Sequence, residues 1–151
     1  MIVLVVEDEA IIAYCSAAIL EEAGFAVLGP AHTSGEALEL SRHERPDVAL
    51  VDIDLEVPGA GIGVAQQLHA QYGTAIVFTT GRVDQATSQR DVAVAVMSKP
   101  YDPAELPGIV KYAASRPRAA STRASSRHFG QVTMPSREAV AAVPARAVVP
   151  R

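Results

Sequence analysis

The sequence predicts an α/β fold: a doubly wound sheet of five parallel strands with helices on both faces, followed by a tail expected to be disordered. Three observations carry this. Five short apolar runs (Ile2 to Val6, Phe25 to Gly29, Val48 to Val51, Ala75 to Phe78 and Val92 to Met97) alternate with segments of helical period. The strongest of these runs are continuous rather than alternating, as in strands covered on both faces. Parallel neighbours need right-handed crossovers, and the helical segments between the runs supply them.

Each element has its own signals. After Ile2 to Val6, the stretch Glu9 to Ala23 turns to helical spacing, with Ile12, Cys15 and Ile19 on one apolar side and Gly24 where a C-terminal glycine belongs. Cys15 is therefore expected to be a small buried residue, and Glu9 a first-turn acid favoured by the helix dipole. Thr33-Ser34-Gly35-Glu36 forms a capping box for a helix whose Ala37, Leu38 and Leu40 pack inward, and Pro46 ends that stretch. Val48 to Val51 leads into Asp52-Ile53-Asp54 and a loop with Pro58, Gly59, Gly61 and Gly63. The next helix carries Val64, Leu68 and Tyr72 and stops at Gly73. Val83 to Arg90 has few apolar anchors and room for only about two turns. Asp102 and Glu105, with Pro103 between them, cap a last helix marked by Leu106, Ile109, Val110 and Ala113. Pro107 and Gly108 disturb its beginning, since an internal proline costs about 3 kcal/mol and a glycine up to about 1. A kink or a late start is expected.

The net charge of −4 divides unevenly. Residues 1–115 hold 6 Lys+Arg and 16 Asp+Glu, net −10, whereas residues 116–151 hold 7 Arg and one acid, Glu138, net +6. The chain thus reads as a domain over 1–115 and a basic Ala/Arg/Ser/Pro-rich tail over 116–151 that cannot bury enough apolar surface to fold alone. The tail lacks aromatic interleaving and any helix-turn-helix pattern, which argues against specific DNA binding. Met1 to Val6 is far shorter than the roughly 20 residues of a membrane span, and no positive segment precedes it. Cys15 is a lone cysteine, and His32, His43, His69 and His128 lack metal-ligand spacing. A cytoplasmic chain is expected.

In doubly wound sheets ligands bind at the carboxyl ends of the strands, near the point where the strand order reverses. Glu7 and Asp8 lie after the first strand, Asp52 after the third, Thr80 after the fourth and Lys99 after the fifth. Two carboxylates about 4 Å apart repel by roughly 4 kcal/mol at an effective dielectric near 20, so such a cluster calls for a cation or a proton. Mg²⁺ suits it, taking oxygen ligands and needing only one or two carboxylates. A carboxylate left over can act as a nucleophile and form an acyl phosphate. Lys99 and Thr80 would then position and neutralise the transferred group.

Residues 1–114 resemble a receiver domain of the two-component response regulators. The matching stretches are Val5-Val6-Glu7-Asp8-Glu9, Pro46 to Asp52, Thr80-Gly81 and Ser98-Lys99-Pro100. The resemblance implies the flavodoxin-like receiver fold and a stand-alone response regulator that signals by protein contact. Asp52 would accept a phosphoryl group from a sensor histidine kinase or a histidine phosphotransfer protein. It further implies Mg²⁺ held by Glu7, Asp8, Asp52 and the main-chain carbonyl of Asp54, with Thr80 and Lys99 on phosphoryl oxygens and a cis Lys99–Pro100 bond. The domain would be a switch with its own phosphorylation and dephosphorylation chemistry, not a turnover enzyme. Phe78-Thr79-Thr80-Gly81 is similar to the Phe-Ala-Thr-Gly run of the FATGUY subgroup, with Thr79 in place of Ala.

Several positions depart from the family pattern. The proline usual four residues beyond the acceptor is Glu56 here, and Pro58 comes later. The aromatic usual three residues before the lysine is Val96, which has no hinged ring, so the usual threonine-to-aromatic switch is expected to be absent or replaced. Arg82, two beyond Thr80, reads equally as a residue over the site or a solvated loop arginine. A short fourth helix and a broken fifth weaken a common dimer surface of the family, so a monomer is expected. Two rivals stand beside the switch: a phosphorylation-independent interaction module and a phosphatase with an aspartyl nucleophile, suggested by Asp52-Ile53-Asp54.

Overall fold

A computed structural model describes residues 1–116. The expectations for the basic tail fall on residues 117–151, outside the described residues. Strands β1 (Ile2–Val6), β2 (Ala26–Ala31), β3 (Val48–Asp52), β4 (Ala75–Thr80) and β5 (Ala93–Ser98) pair in parallel in the order β2-β1-β3-β4-β5. The helices are α1 (Ala10–Glu22), α2 (Ser34–His43), α3 (Ala60–Tyr72), α4 (Val83–Thr87) and α5 (Leu106–Ala114).

Because side chains alternate along a strand, β1 feeds two cores. Leu4 and Val6 pack with Ala37 of α2, Val64 and Leu68 of α3 and Ala86 of α4. Val3 and Val5 pack with Leu20 of α1 and with Leu106, Val110 and Ala113 of α5. The sheet is thus covered on both faces, and the predicted doubly wound architecture is the one observed.

The local signals hold with some corrections. Thr33 caps α2 by accepting from the Glu36 amide at 3.1 Å. Glu36 reaches back one residue further than a capping box requires, to the amide of His32 at 2.7 Å. α5 starts late: a 3₁₀ turn at Pro103–Glu105, capped by Asp102 on the Ala104 amide, precedes it. Pro107 then falls in the first turn of α5, where no intrahelical N–H is required of it. α4 has five residues. β4 runs to Thr80, two residues beyond the predicted end, because Thr79 pairs with Asp52 and Thr80 with Ser98. Glu9 is not in the first turn of α1 but is the extended residue before it.

The largest correction concerns α1. Its buried residues are Ala13, Ser16, Ala17 and Leu20, whereas Cys15 is exposed and Ile12 and Ile19 are half-buried. The segment is apolar on nearly every side, so periodicity does not set which side faces in. Close packing of the small Ala13, Ser16 and Ala17 against the sheet decides it.

Candidate functional site

The site forms where the strand order reverses. After β1 the chain crosses to one side to make β2, and after β3 to the other to make β4. β1 and β3 are hydrogen-bonded neighbours with Val6 opposite Val51, so the next residues, Glu7 and Asp52, emerge side by side at the carboxyl edge. Both are buried, at 3% and 7% exposure. Asp8 is exposed beside them, and carboxylate oxygens of Glu7, Asp8 and Asp52 lie within 4.8 Å of one another.

One cation joins two of these acids. The Lys99 ammonium donates to Glu7 Oε2 at 2.7 Å and to Asp52 Oδ2 at 2.6 Å. Lys99 comes from the end of β5, and its bond to Pro100 is cis, as expected. Asp52 Oδ1 accepts from the Asp54 amide at 2.9 Å. Thr80 is fully buried, with Oγ1 accepting from the Arg82 amide at 2.9 Å. Arg82 also turns its guanidinium onto Asp54, with Nε to Oδ2 at 3.0 Å and Nη2 to Oδ1 at 2.9 Å. The reading of Arg82 as a residue over the site fits better than that of a solvated loop arginine.

Burial pushes the Glu7 carboxyl above its ordinary value and the charge of Asp52 adds to this, while the bond and charge of Lys99 pull the other way. Burial alone would lower the Lys99 ammonium, but its bonds to Asp52 and Glu7 outweigh that and raise it. Glu7 Oε1 is buried without a hydrogen-bond partner. Three carboxylates against one ammonium leave a local charge of about −2 when all are ionised. A partnerless buried carboxylate oxygen and hard oxygen donors around it are what a divalent, oxygen-seeking cation fits.

Four features were not read from the sequence. Gly61 presses on the strand end: a Cβ there would lie 1.8 Å from the Asp52 carbonyl oxygen. The Gly61 amide donates to the carbonyl of Ile53 at 3.0 Å, holding the start of α3 against the end of β3. Glu56 reaches across to the first residue of α2, accepting from the Ser34 amide and hydroxyl, both at 3.0 Å. Tyr101, hydrogen-bonded to Ser16, has its hydroxyl raised chiefly by burial and lines a small cavity of about 10 Å³ with Glu7, Ser16 and Thr79 and the apolar Val5, Val6 and Leu50. His32 lies against Tyr14 and bonds through Nδ1 to the Glu7 carbonyl oxygen at 3.0 Å. A run of loop glycines hinted at Gly61; nothing local pointed to the other three.

A doubly wound domain whose acids, threonine and lysine meet at the switch point has the build of a signalling receiver. The chain belongs to the response regulator receiver domain family, whose model matches residues 3–111. It is 29% identical over 113 residues to the phyllosphere-induced regulator PhyR of Methylorubrum extorquens, covering 74% of this chain and 42% of that one. It is 32% identical over 122 residues to the transcriptional regulatory protein PdtaR of Mycobacterium tuberculosis, covering 76% of this chain and 57% of the relative. The chain thus spans about half the length of these curated relatives. A CheY-like response regulator receiver domain protein of Methanospirillum hungatei superposes with a TM-score of 0.66 at 28% identity, covering 75% of this chain and 92% of that one. Among the described residues, no helix is long and apolar enough to cross a membrane.

Proposed function

We propose that this chain acts as a response regulator in which Asp52 accepts a phosphoryl group from a sensor histidine kinase or a histidine phosphotransfer protein. The observation that carries the reading is the Lys99 ammonium bridging Glu7 and Asp52, with Asp8 beside them at the switch point. In the transfer, the P–N bond of the phosphohistidine breaks and a P–O bond forms to an Asp52 carboxylate oxygen, the imidazole leaving with the electron pair. Water later cleaves the acyl phosphate, restoring the carboxylate and releasing inorganic phosphate.

Each residue has a stated part. Lys99 holds the Asp52 carboxylate at the edge and then pairs with a phosphoryl oxygen. The Thr80 hydroxyl, an acceptor from Arg82 here, keeps its proton to donate to another oxygen. Glu7, Asp8, Asp52 and the main-chain carbonyl of Asp54 would hold Mg²⁺, which when bound supplies neutralisation of the phosphoryl charge. Arg82 and Asp54, two residues beyond Thr80 and Asp52, tune how long the acyl phosphate survives.

The output is a protein contact. A phosphoryl group shifts the domain between surface states only by its differential interaction with them. The short α4 and late α5 favour a monomer, to be checked by sedimentation; a tight dimer through these elements would contradict that part.

Val96, half-buried against the α2–α3 core where the family usually carries an aromatic ring, favours one second reading: an interaction module that needs no phosphorylation. Intact mass after incubation with acetyl phosphate and Mg²⁺ separates the two. The wild type is expected to gain one phosphoryl group and Asp52→Ala none; no gain in the wild type would favour the module.

A further inference from the structure

The outer face of α1 is apolar and uncovered among the described residues. Ile11 and Tyr14 are 76% and 61% exposed, and Cys15 and Ala18 lie exposed on the same side. Their spacing of three, four and seven residues makes one stripe along the helix. Acids stand at both ends, Asp8 and Glu9 before α1 and Glu21 and Glu22 in its last turn, and no Lys or Arg lies between.

The end of the described chain is close to one end of this stripe. α1 and α5 pack on the same face of the sheet, sharing a core through Leu20, Val110 and Ala113. Both helices end at the edge where the strands begin. The Phe25–Ala26 segment after α1 bonds to Met1, and Ala113, Ala114 and Arg116 line a crevice with Met1, Asp47 and Ala75. The described chain therefore ends, at Arg116, on the same edge of the sheet at which α1 ends with Glu21 and Glu22.

Its composition runs in the complementary order. Arg118, Arg123 and Arg127 come first, then Phe129, Val132 and Met134, then Arg137. Along α1 the order away from that edge is Glu21 and Glu22, then Ala18, Cys15, Tyr14 and Ile11, then Glu9 and Asp8. Thirteen residues of α1 measure about 20 Å at 1.5 Å each, well inside the roughly 66 Å that 20 residues can reach at full extension.

We propose that residues 118–137 of this chain dock on the exposed face of α1, arginines on the terminal acids and Phe129, Val132 and Met134 over Tyr14 and Ile11. The contact covers the helix that begins beside the acidic site, so a partner approaching over α1 must first displace it. It does not depend on phosphorylation of Asp52.

Cys15, the only cysteine of the chain, reports on the stripe directly. The rate of its alkylation by a small maleimide is compared between the full wild-type chain and two variants. One carries Arg118→Gln, Arg123→Gln and Arg127→Gln; the other, unchanged in charge, carries Phe129→Ser, Val132→Ser and Met134→Ser. Both are expected to react about three to ten times faster than the wild type, in proportion to the time the stripe lies open. High salt should bring the wild type towards the arginine variant. Equal rates in all three proteins would overturn the proposal. Protection that grows with protein concentration would also overturn it, because the occupant would then be a second copy.

Discussion

The loop after β3 and the segment after β4 leave the same edge of one sheet but are held very differently. The first is tied on three sides. Asp54 pairs with Arg82, Glu56 binds Ser34 at the start of α2, and Gly61 lies against the Asp52 carbonyl. The second makes five residues of helix, burying Ala86 while Asp84 and Ser88 stay exposed. The first loop is held at Asp54, Glu56 and Gly61, whereas the second segment shares the Arg82–Asp54 pair, is bonded to α3 from Gln66 to Gln89 at 3.0 Å, and has the bond of Ser88 to Gln85 within its own turn. Regions of low local stability are where conformational responses are built.

The strongest way to break this contrast is at Gly61. Gly61→Ala is expected to destabilise the fold by about 3 kcal/mol, because the backbone it meets cannot move aside as a side chain would. Denaturant unfolding would show it; a loss below about 1 kcal/mol would mean that the loop yields and is not pinned.

Next comes the lysine. Lys99→Met leaves two buried carboxylates facing each other without their shared cation, at an expected cost of about 3 kcal/mol. Phosphorylation should be lost with it, read by mass after acetyl phosphate treatment.

Glu7 should behave oppositely and with a pH signature. Its carboxyl is raised in the folded protein, so the folded state holds the proton more tightly than the unfolded one. Its contribution is favourable below the unfolded value of about 4.5 and is lost as pH rises through the higher folded value. Glu7→Gln should therefore gain stability relative to wild type as pH climbs from 4 to 7. A constant difference across that range, measured by thermal unfolding, would contradict this.

The smallest effects sharpen the comparison. Ser34→Ala removes a hydroxyl bond that joins positions 22 residues apart and should cost about 1 kcal/mol. Ser88→Ala removes a bond three residues away within one turn and should cost no more than about 0.5. Equal costs would mean that the two segments are held alike.

The five parallel strands and the placing of Glu7, Asp52, Thr80 and Lys99 at their carboxyl ends were legible because they depend on strand ends, which apolar runs and turn residues mark. The late start of α5 was legible from Pro107 for the same kind of reason, a local rule about backbone donors. The phase of α1 was not, since a helix apolar nearly all round gives no preferred side and packing volume decides. Nor were the Glu56–Ser34 and Arg82–Asp54 links. Both join residues more than 20 positions apart, and each partner has an ordinary local role as a loop or cap residue. The unpaired oxygen of Glu7 likewise exists only once β1 and β3 are side by side.

Whether the acid at the end of β3, and not its neighbour Asp54, carries the phosphoryl group can be read chemically. After incubation with acetyl phosphate and Mg²⁺, borohydride reduces an aspartyl phosphate to homoserine, which peptide mapping locates. Homoserine is expected at position 52 alone; homoserine at position 54, or none at either position, would contradict phosphorylation of Asp52.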